Sequence, residues 1–314
     1  MDPFVSICIP AYKRAEFLTR LLDSIAIQTF KDFEVIITDD SPDDTVRDLS
    51  MHYQQKMPLR YFRNPSPLGT PENWNEAIRQ ANGKWIKLIH DDDWLATEHS
   101  LQQFVDAINN NPKASFFFCA YRNNWLQIGR MEDVHIREFR YKQLLKEPAT
   151  LFSSNIIGPP SVIIHANDKK VYYDKTIKWV VDIDFYIRYF KTAKPVYIPR
   201  ILINVGMGDS QVTQDCFRKR EVEVPENFYL LNKVGIEALK NMLVYDAWWR
   251  LLRNLEITQE AEIRTAGYSG PIHRVLLSMI HWQRQLPRFL LSNGSCSKII
   301  MFVHLILHRN QLRP

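Results

Sequence analysis

The stretch Lys84-Trp85-Ile86-Lys87-Leu88-Ile89-His90-Asp91-Asp92-Asp93-Trp94-Leu95 decides how the rest of the chain is read. It opens as an apolar strand and runs into three adjacent carboxylates, a composition that ends a sheet and suits a cation. Three like charges in a row repel one another, so a positive partner is expected beside them. A magnesium or manganese ion held by one or two carboxylates, with phosphates completing its shell, meets that need. A helix N-terminal cap, with Thr97 capping the segment that follows, is the alternative.

Upstream of this stretch, strand and helix alternate. Phe4 to Pro10 is an apolar run stopped by proline, and 14–28 places Phe17, Leu18, Leu21, Leu22 and Ile25 on one helical face. A strand at 33–38 ends in Asp39-Asp40-Ser41, a helix covers 45–56, and a strand is expected at 59–63. A loop over 64–70 and a helix over 71–81 lead to Gly83 and the strand 84–89. Four such alternations predict a parallel sheet covered by helices, with ligands bound beyond the carboxyl ends of the strands. The loops Pro10 to Arg14, Asp39-Asp40 and Asp91 to Asp93 should therefore converge on one edge. An aromatic ring, a carboxylate able to accept from a base, cationic side chains and a metal-bound phosphate together suit a nucleotide diphosphate. Neither a phosphate-cradling Gly-Lys-Ser/Thr loop nor a Gly-rich dinucleotide fingerprint is present, so phosphate is expected to be held through metal.

With 314 residues and 46% hydrophobic content the chain can bury a large core, which excludes a disordered protein. No apolar run follows Met1-Asp2-Pro3, so neither a secretory signal nor an amino-terminal span is expected. Cys8, Cys119, Cys216 and Cys296 lie far apart and read as reduced thiols of a cytoplasmic protein. The net charge of +5 is uneven: from Ile263 onward there are seven Lys or Arg and no Asp or Glu, leaving a balance of −2 for residues 1–262. Such a basic, apolar-rich end suits an anionic membrane surface or the solvated side of a helical region; nucleic acid is not expected as a partner.

Several ordered motifs together resemble the family 2 inverting glycosyltransferases, whose fold is termed GT-A. They are Val5-Ser6-Ile7-Cys8-Ile9-Pro10-Ala11-Tyr12-Lys13-Arg14, Gln28-Thr29-Phe30 with Phe33 to Ser41, Asn73-Trp74-Asn75-Glu76-Ala77-Ile78 leading through Gly83 to the aspartates, and Trp179-Val180-Val181-Asp182-Ile183-Asp184-Phe185. The resemblance covers roughly residues 4–213 and implies a Rossmann-like, mostly parallel sheet flanked by helices. It divides the chain into a glycosyltransferase domain at 1–215, with a nucleotide-sugar half at 1–110 and an acceptor half at 111–215, followed by a helical region at 216–314. It implies a nucleotide-sugar donor, often a UDP-sugar. Tyr12 and Asp39 match positions that contact the base, with Asp40 beside them, and Pro10 and Arg14 flank that pocket. Asn75 lies in the matched Asn-Trp-Asn segment placed with the donor, and Asp91 matches a position near ribose and phosphates. Asp92 matches the metal-binding carboxylate of the DXD motif, with Asp93 beside it as a second candidate. His90 stands where many relatives have the first Asp, which leaves the shares of Asp91 and Asp93 open.

The second half is expected to bind the acceptor. Strands read at 115–121 and 161–165, with Ile157-Gly158-Pro159-Pro160-Ser161 either a wall facing the acceptor or a rigid turn. Trp179 is a candidate for stacking on a sugar face. Inversion by direct displacement needs a base near the acceptor hydroxyl. In the family this comes from an acidic pair ahead of a helix; Asp182 falls on its second position, Val181 replaces the first, and Asp184 is the competitor for the base and a candidate for binding the acceptor. Both aspartates also suit the first turn of a helix 182–190. Short strands follow at 195–198 and 201–205; no histidine follows them to touch the metal, so the shell is expected to rest on the aspartates, phosphates and water, with Asp209 an outside candidate. The Gln-rich motif of processive synthases is absent, which favours transfer of a single sugar to a glycan or lipid-linked saccharide. The tail reads as helices 238–255, 272–286 and 298–308, the last too short to span a bilayer and suited to docking or to the membrane interface. A nucleotidyltransferase and a non-catalytic binding protein are the competing functions.

Overall fold

The computed structural model describes residues 2–208 and 216–312, so Asp209 lies outside the described residues. The chain divides into two units, Met1–Tyr141 with Ile156–Asp209, and Lys142–Asn155 with Ser210–Pro314.

The first unit begins β1 (Val5–Ala11), α1 (Ala15–Ala26), β2 (Phe33–Asp39), α2 (Thr45–Gln54), β3 (Leu59–Arg63), α3 (Glu72–Gln80) and β4 (Trp85–Leu88). It continues through β5 (Trp94–Leu95), α4 (Ser100–Asn110), β6 (Phe116–Trp125) and β7 (Arg130–Val134), and the chain then enters α5 (Glu138–Lys146). After residue 156 come β8 (Ile163–Ala166), α6 (Val181–Tyr189) and β9 (Val196–Gly206). Strands β3, β2, β1 and β4 are parallel neighbours, with Val5 opposite both Phe33 and Trp85. The continuous apolar runs of β1 and β2 fit burial on both faces of a parallel sheet. Leu18, Leu21, Leu22 and Ile25 of α1 are fully buried, the stripe that the 3.6-residue period requires. Beyond β4 the order continues β8, β6, β9, β5, and the pairing is mixed: β8 is antiparallel to both neighbours, β6 and β9 are parallel, and β5 is antiparallel to β9.

The two strands expected at 195–198 and 201–205 are one strand, β9, which pairs with β6 across a bulge around Ala120. Such an irregularity absorbs extra residues without ending the ladder: Cys119 pairs with Ile198 and Ala120 with Ile201, so Pro199 and Arg200 sit exposed on a continuing strand. The hairpin of β6 with β7 lengthens the strand expected at 115–121. The helix-cap alternative for the aspartates does not hold, because they are followed by β5 and the next helix starts only at Ser100.

The second unit is helical: α7 (Arg220–Val234), α8 (Met242–Asn254), α9 (Glu260–Thr265), α10 (Arg274–Gln285), α11 (Arg288–Ser292) and α12 (Gly294–His308). The helix expected at 238–255 is split, because the Asn241 side chain accepts from the Leu243 N–H (2.9 Å) and caps a fresh start after a 3-10 turn. α12 likewise begins earlier than expected, since Asn293 Oδ1 accepts from the N–H groups of both Ser295 and Cys296 (3.1 Å each). The core of this unit contains Phe228, Leu239, Tyr245, Trp248, Trp249, Val275, Met279 and Met301.

A buried to half-buried polar chain fixes the rotation of α12. His308 Nδ1 lies 2.9 Å from the His304 carbonyl, which only accepts, so Nδ1 carries a proton, and His308 Nε2 lies 2.9 Å from Ser278 Oγ. Ser278 in turn accepts from His304 Nε2 (3.0 Å), and His304 Nδ1 accepts from the Tyr245 hydroxyl (2.6 Å). Burial pushes His304 down to about 4, which keeps this ring neutral at pH 7.

Candidate active site

Hydrogen bonds join the loops at the carboxyl ends of β1, β2, β3 and β4. The Lys13 N–H donates to Ser41 Oγ (2.7 Å), tying the β1 loop to the β2 loop. Asp40 accepts from Asn64 Nδ2 (2.7 Å), from the Leu68 N–H (3.0 Å) and from the Gly69 N–H (2.8 Å), so its carboxylate is engaged in holding the loop that follows β3. Arg14 donates to Asp91 and to Asp92 (3.1 Å), tying the β1 loop to the β4 loop. It reaches them from a left-handed backbone, φ 40°, just ahead of α1. Burial works against the charge of Arg14, but Asp91 and Asp92 outweigh it and hold the guanidinium more firmly charged than usual. Asp91 is buried, and burial pushes its carboxyl up to about 7 despite Arg14 beside it.

The turn after β4 gathers a mixed set of ligand atoms. One ring nitrogen of His90 and one carboxylate oxygen each from Asp92 and Asp93 lie within 4.8 Å of one another. The His90 ring packs on Trp74 at 4.6 Å between centroids, its Nε2 is buried with no hydrogen-bond partner, and burial pushes it down to about 4. It is therefore a neutral imidazole, the form that binds metals. Burial and the neighbouring Asp92 raise the Asp93 carboxyl, against hydrogen bonds from Ser161 and Gly206 and the charge of Lys87.

Three residues that motif reading did not single out set this turn. Ser161 Oγ donates to Asp93 and accepts the His90 N–H (2.9 Å). Its carbonyl, with that of Leu88 (3.2 Å), takes the ammonium of Lys87, a buried cation on β4 pushed down to about 8 by burial. Gly206, at the end of β9, donates its N–H to Asp93 Oδ1 (3.0 Å), and a Cβ there would stand 2.3 Å from the Asp92 carbonyl oxygen. The available signals were a lone lysine inside an apolar strand and a glycine closing one.

Of the other candidates, Tyr12 is half exposed with Lys13 Nζ 4.9 Å from its ring centre, and Pro10 pairs with Thr38 at the same strand ends. Asp39 is buried and accepts from the Tyr61 hydroxyl (2.7 Å) and the Ser41 N–H (2.8 Å). Asn75 faces elsewhere: its amide exchanges hydrogen bonds with the Tyr173 backbone (2.9 and 2.8 Å), fastening α3 to the segment ahead of α6. Asp182 and Asp184 both lie in the first turn of α6 and have parted roles. Asp184 is fully buried in an ion pair with Arg188 (2.7 Å), whose Nη2 also donates to the Tyr172 carbonyl (2.6 Å), so it is not brought to the surface. Asp182 and Trp179 are half-buried, and Asp182 accepts the Ile183 N–H (2.8 Å). Tyr121 is pushed up to about 12 by burial, with the charges of Asp93 and Asp182 among the smaller contributions. Gly158, at φ +108°, lies against that ring, and a Cβ there would come 2.7 Å from Tyr121 Cε1.

The family model described as Glycosyl transferase family 2 matches residues 6–160. An uncharacterized glycosyltransferase of Rickettsia typhi is 22% identical over 227 residues, 70% of this chain and 69% of its own. Among solved structures, residues 1–349 of S. aureus TarS in complex with UDP-GlcNAc match with a TM-score of 0.62 at 15% identity, over 99% of this chain and 92% of that one. The mannosyltransferase PcManGT from Pyrobaculum calidifontis, in complex with GDP-Man and Mn2+, matches with a TM-score of 0.56 at 13% identity, over 98% and 88%. At such identities the structural likeness speaks for the fold.

Proposed function

We propose that this chain, which belongs to glycosyl transferase family 2 and has the GT-A fold, moves a single sugar from a UDP-sugar to a glycan or lipid-linked saccharide, with inversion, in the assembly of a surface polysaccharide. The observation that carries this reading is the cluster of His90, Asp92 and Asp93 ligand atoms on the sheet edge where the Tyr12 and Asp39 loops end. TarS in complex with UDP-GlcNAc and PcManGT in complex with GDP-Man and Mn2+ support a nucleotide-sugar donor and a divalent cation.

The residues fit such an ion: a ring nitrogen of His90 and two carboxylates converge, the His90 ring has a buried nitrogen with no hydrogen-bond partner, and an imidazole in the set suits manganese better than magnesium. When bound, the cation neutralises charge on the departing diphosphate. Tyr12 offers its exposed ring to the base, and Asp39 keeps lone pairs for a base N–H beyond its two present partners. Arg14 adds a fixed positive charge beside the phosphates. Asp182 takes the proton of the acceptor hydroxyl as its oxygen bonds to the anomeric carbon from the face opposite the breaking carbon–phosphate-oxygen bond, and nucleoside diphosphate leaves.

Nucleoside diphosphate release from a panel of nucleotide sugars tests this reading without a known acceptor. Release is expected from one donor with manganese, to stop with EDTA, and to fall by about a hundredfold in Asp92→Asn. Release of pyrophosphate instead would identify a nucleotidyltransferase. The absence of both release and a donor-dependent thermal shift would remove the catalytic reading altogether. Gly206→Ala is expected to weaken Mn2+ binding, followed by the EPR signal of free Mn2+, by about ten- to a hundredfold, because backbone at Asp92 must move to admit the methyl. Unchanged affinity would mean that the turn tolerates the shift and that Gly206 does not set its shape.

A further inference from the structure

α12 displays an uncovered apolar face. Ile299, Phe302, Val303, Ile306 and Leu307 are 66%, 47%, 44%, 58% and 61% exposed. At 100° per residue they form one stripe opposite Ser297, Met301, His304 and Leu305, which are buried in the unit's core. The chain of Tyr245, His304, Ser278 and His308 locks that rotation, so the stripe cannot roll inward without breaking buried and half-buried hydrogen bonds. Lys298 and Arg309 flank the stripe, and Arg288 and the 70%-exposed Phe289 lie on the preceding helix α11. No Asp or Glu occurs anywhere in the chain after Ile263.

We infer that this face of α12 docks the protein on an anionic lipid surface, lying in the plane of the interface. Charge selects the occupant. A second copy seated face to face would bring Lys298 and Arg309 against the same positive groups with no acid between them, whereas anionic headgroups beside acyl chains answer both the charge and the apolar stripe. Spanning is excluded for this helix: its 15 residues measure about 22 Å, short of a hydrocarbon core of roughly 30 Å, and no described helix is long and apolar enough to cross. This surface belongs to the second unit and its docking does not depend on the transfer reaction.

Flotation of the full chain with phosphatidylcholine vesicles, with and without about 30% phosphatidylglycerol, tests it. The wild-type chain is expected to float with the anionic vesicles only, and less at high salt. A chain carrying Ile299→Ser, Phe302→Ser and Ile306→Ser, all exposed positions, is expected to bind at least about tenfold more weakly at unchanged thermal stability. Replacing Arg288, Lys298 and Arg309 by Gln should remove the preference for anionic lipid. Failure to float, or a stripe variant that floats as well as wild type, overturns the inference. So does a dimer in sedimentation that the stripe variant converts to monomer, since a second copy would then cover the face. Flotation reads no sugar transfer, so its failure would leave the proposed reaction standing.

Discussion

Asp182→Asn is expected to leave nucleotide-sugar binding within about twofold while turnover falls by about 10²–10⁴-fold, the usual weight of a positioned general base. The substitution keeps the shape and the oxygen that accepts the Ile183 N–H, so this local contact at the start of α6 is retained. What it removes is a lone pair basic enough to take a proton. The competing carboxylate two residues on cannot substitute, because Asp184 is fully buried and committed to Arg188. The measurement is calorimetric donor binding beside single-turnover sugar transfer. Retained binding with lost transfer supports Asp182 as the base. Turnover within about fivefold of wild type would be too small a loss for a general base and would send the search to another group.

Trp249→Ala is expected to destabilise the helical unit by about 4 kcal/mol. The indole is fully buried, and its Nε1 donates to Ser297 Oγ (3.1 Å), which also receives Arg253 (2.9 Å), while the Trp249 carbonyl takes Gln283 (2.9 Å). Truncation leaves a cavity among α8, α10 and α12 and costs Ser297 one of its partners. Against a typical domain stability of about 5–15 kcal/mol this is a large share. Urea unfolding followed by circular dichroism would show the midpoint fall with little change in slope. A loss below about 1 kcal/mol would mean that the site collapses around the missing ring. Its neighbour Trp248 is packed edge-to-face on Phe228 at 4.9 Å, a contact of the same core.

The alternation of apolar runs and amphipathic stripes made β1 to β4 and their helices legible, because strands buried on both faces and helices buried on one leave different periods in a sequence. The β6–β7 hairpin and the continuity of β9 through Pro199 were not legible: a proline reads locally as a stop, and only the partner strand shows that a bulge absorbs it. At the candidate site, residue types announced the aspartates and Arg14, but the commitments of side chains did not show. Nothing in the sequence says that Asp40 is engaged by the loop after β3, that Asn75 faces Tyr173, or that Asp184 is paired with Arg188. His90 entered the sequence reading as a departure from a motif. Only in three dimensions does its ring come together with the carboxylates of Asp92 and Asp93, so that the departure itself becomes a candidate ligand.

Lys87 puts a buried cation on the strand that leads into three adjacent carboxylates, Asp91, Asp92 and Asp93, and Arg14 adds a second from the β1 loop. Their charges do not sum as whole numbers: burial pushes Asp91 up to about 7, raises Asp93 and pushes Lys87 down to about 8, so near neutral pH the turn holds protons among its own groups. A divalent cation seated there would favour the ionised carboxylates and expel those protons, so its binding would tighten as pH rises through this range. The turn is in this sense a proton store that a cation would have to empty before its charge could act on a ligand.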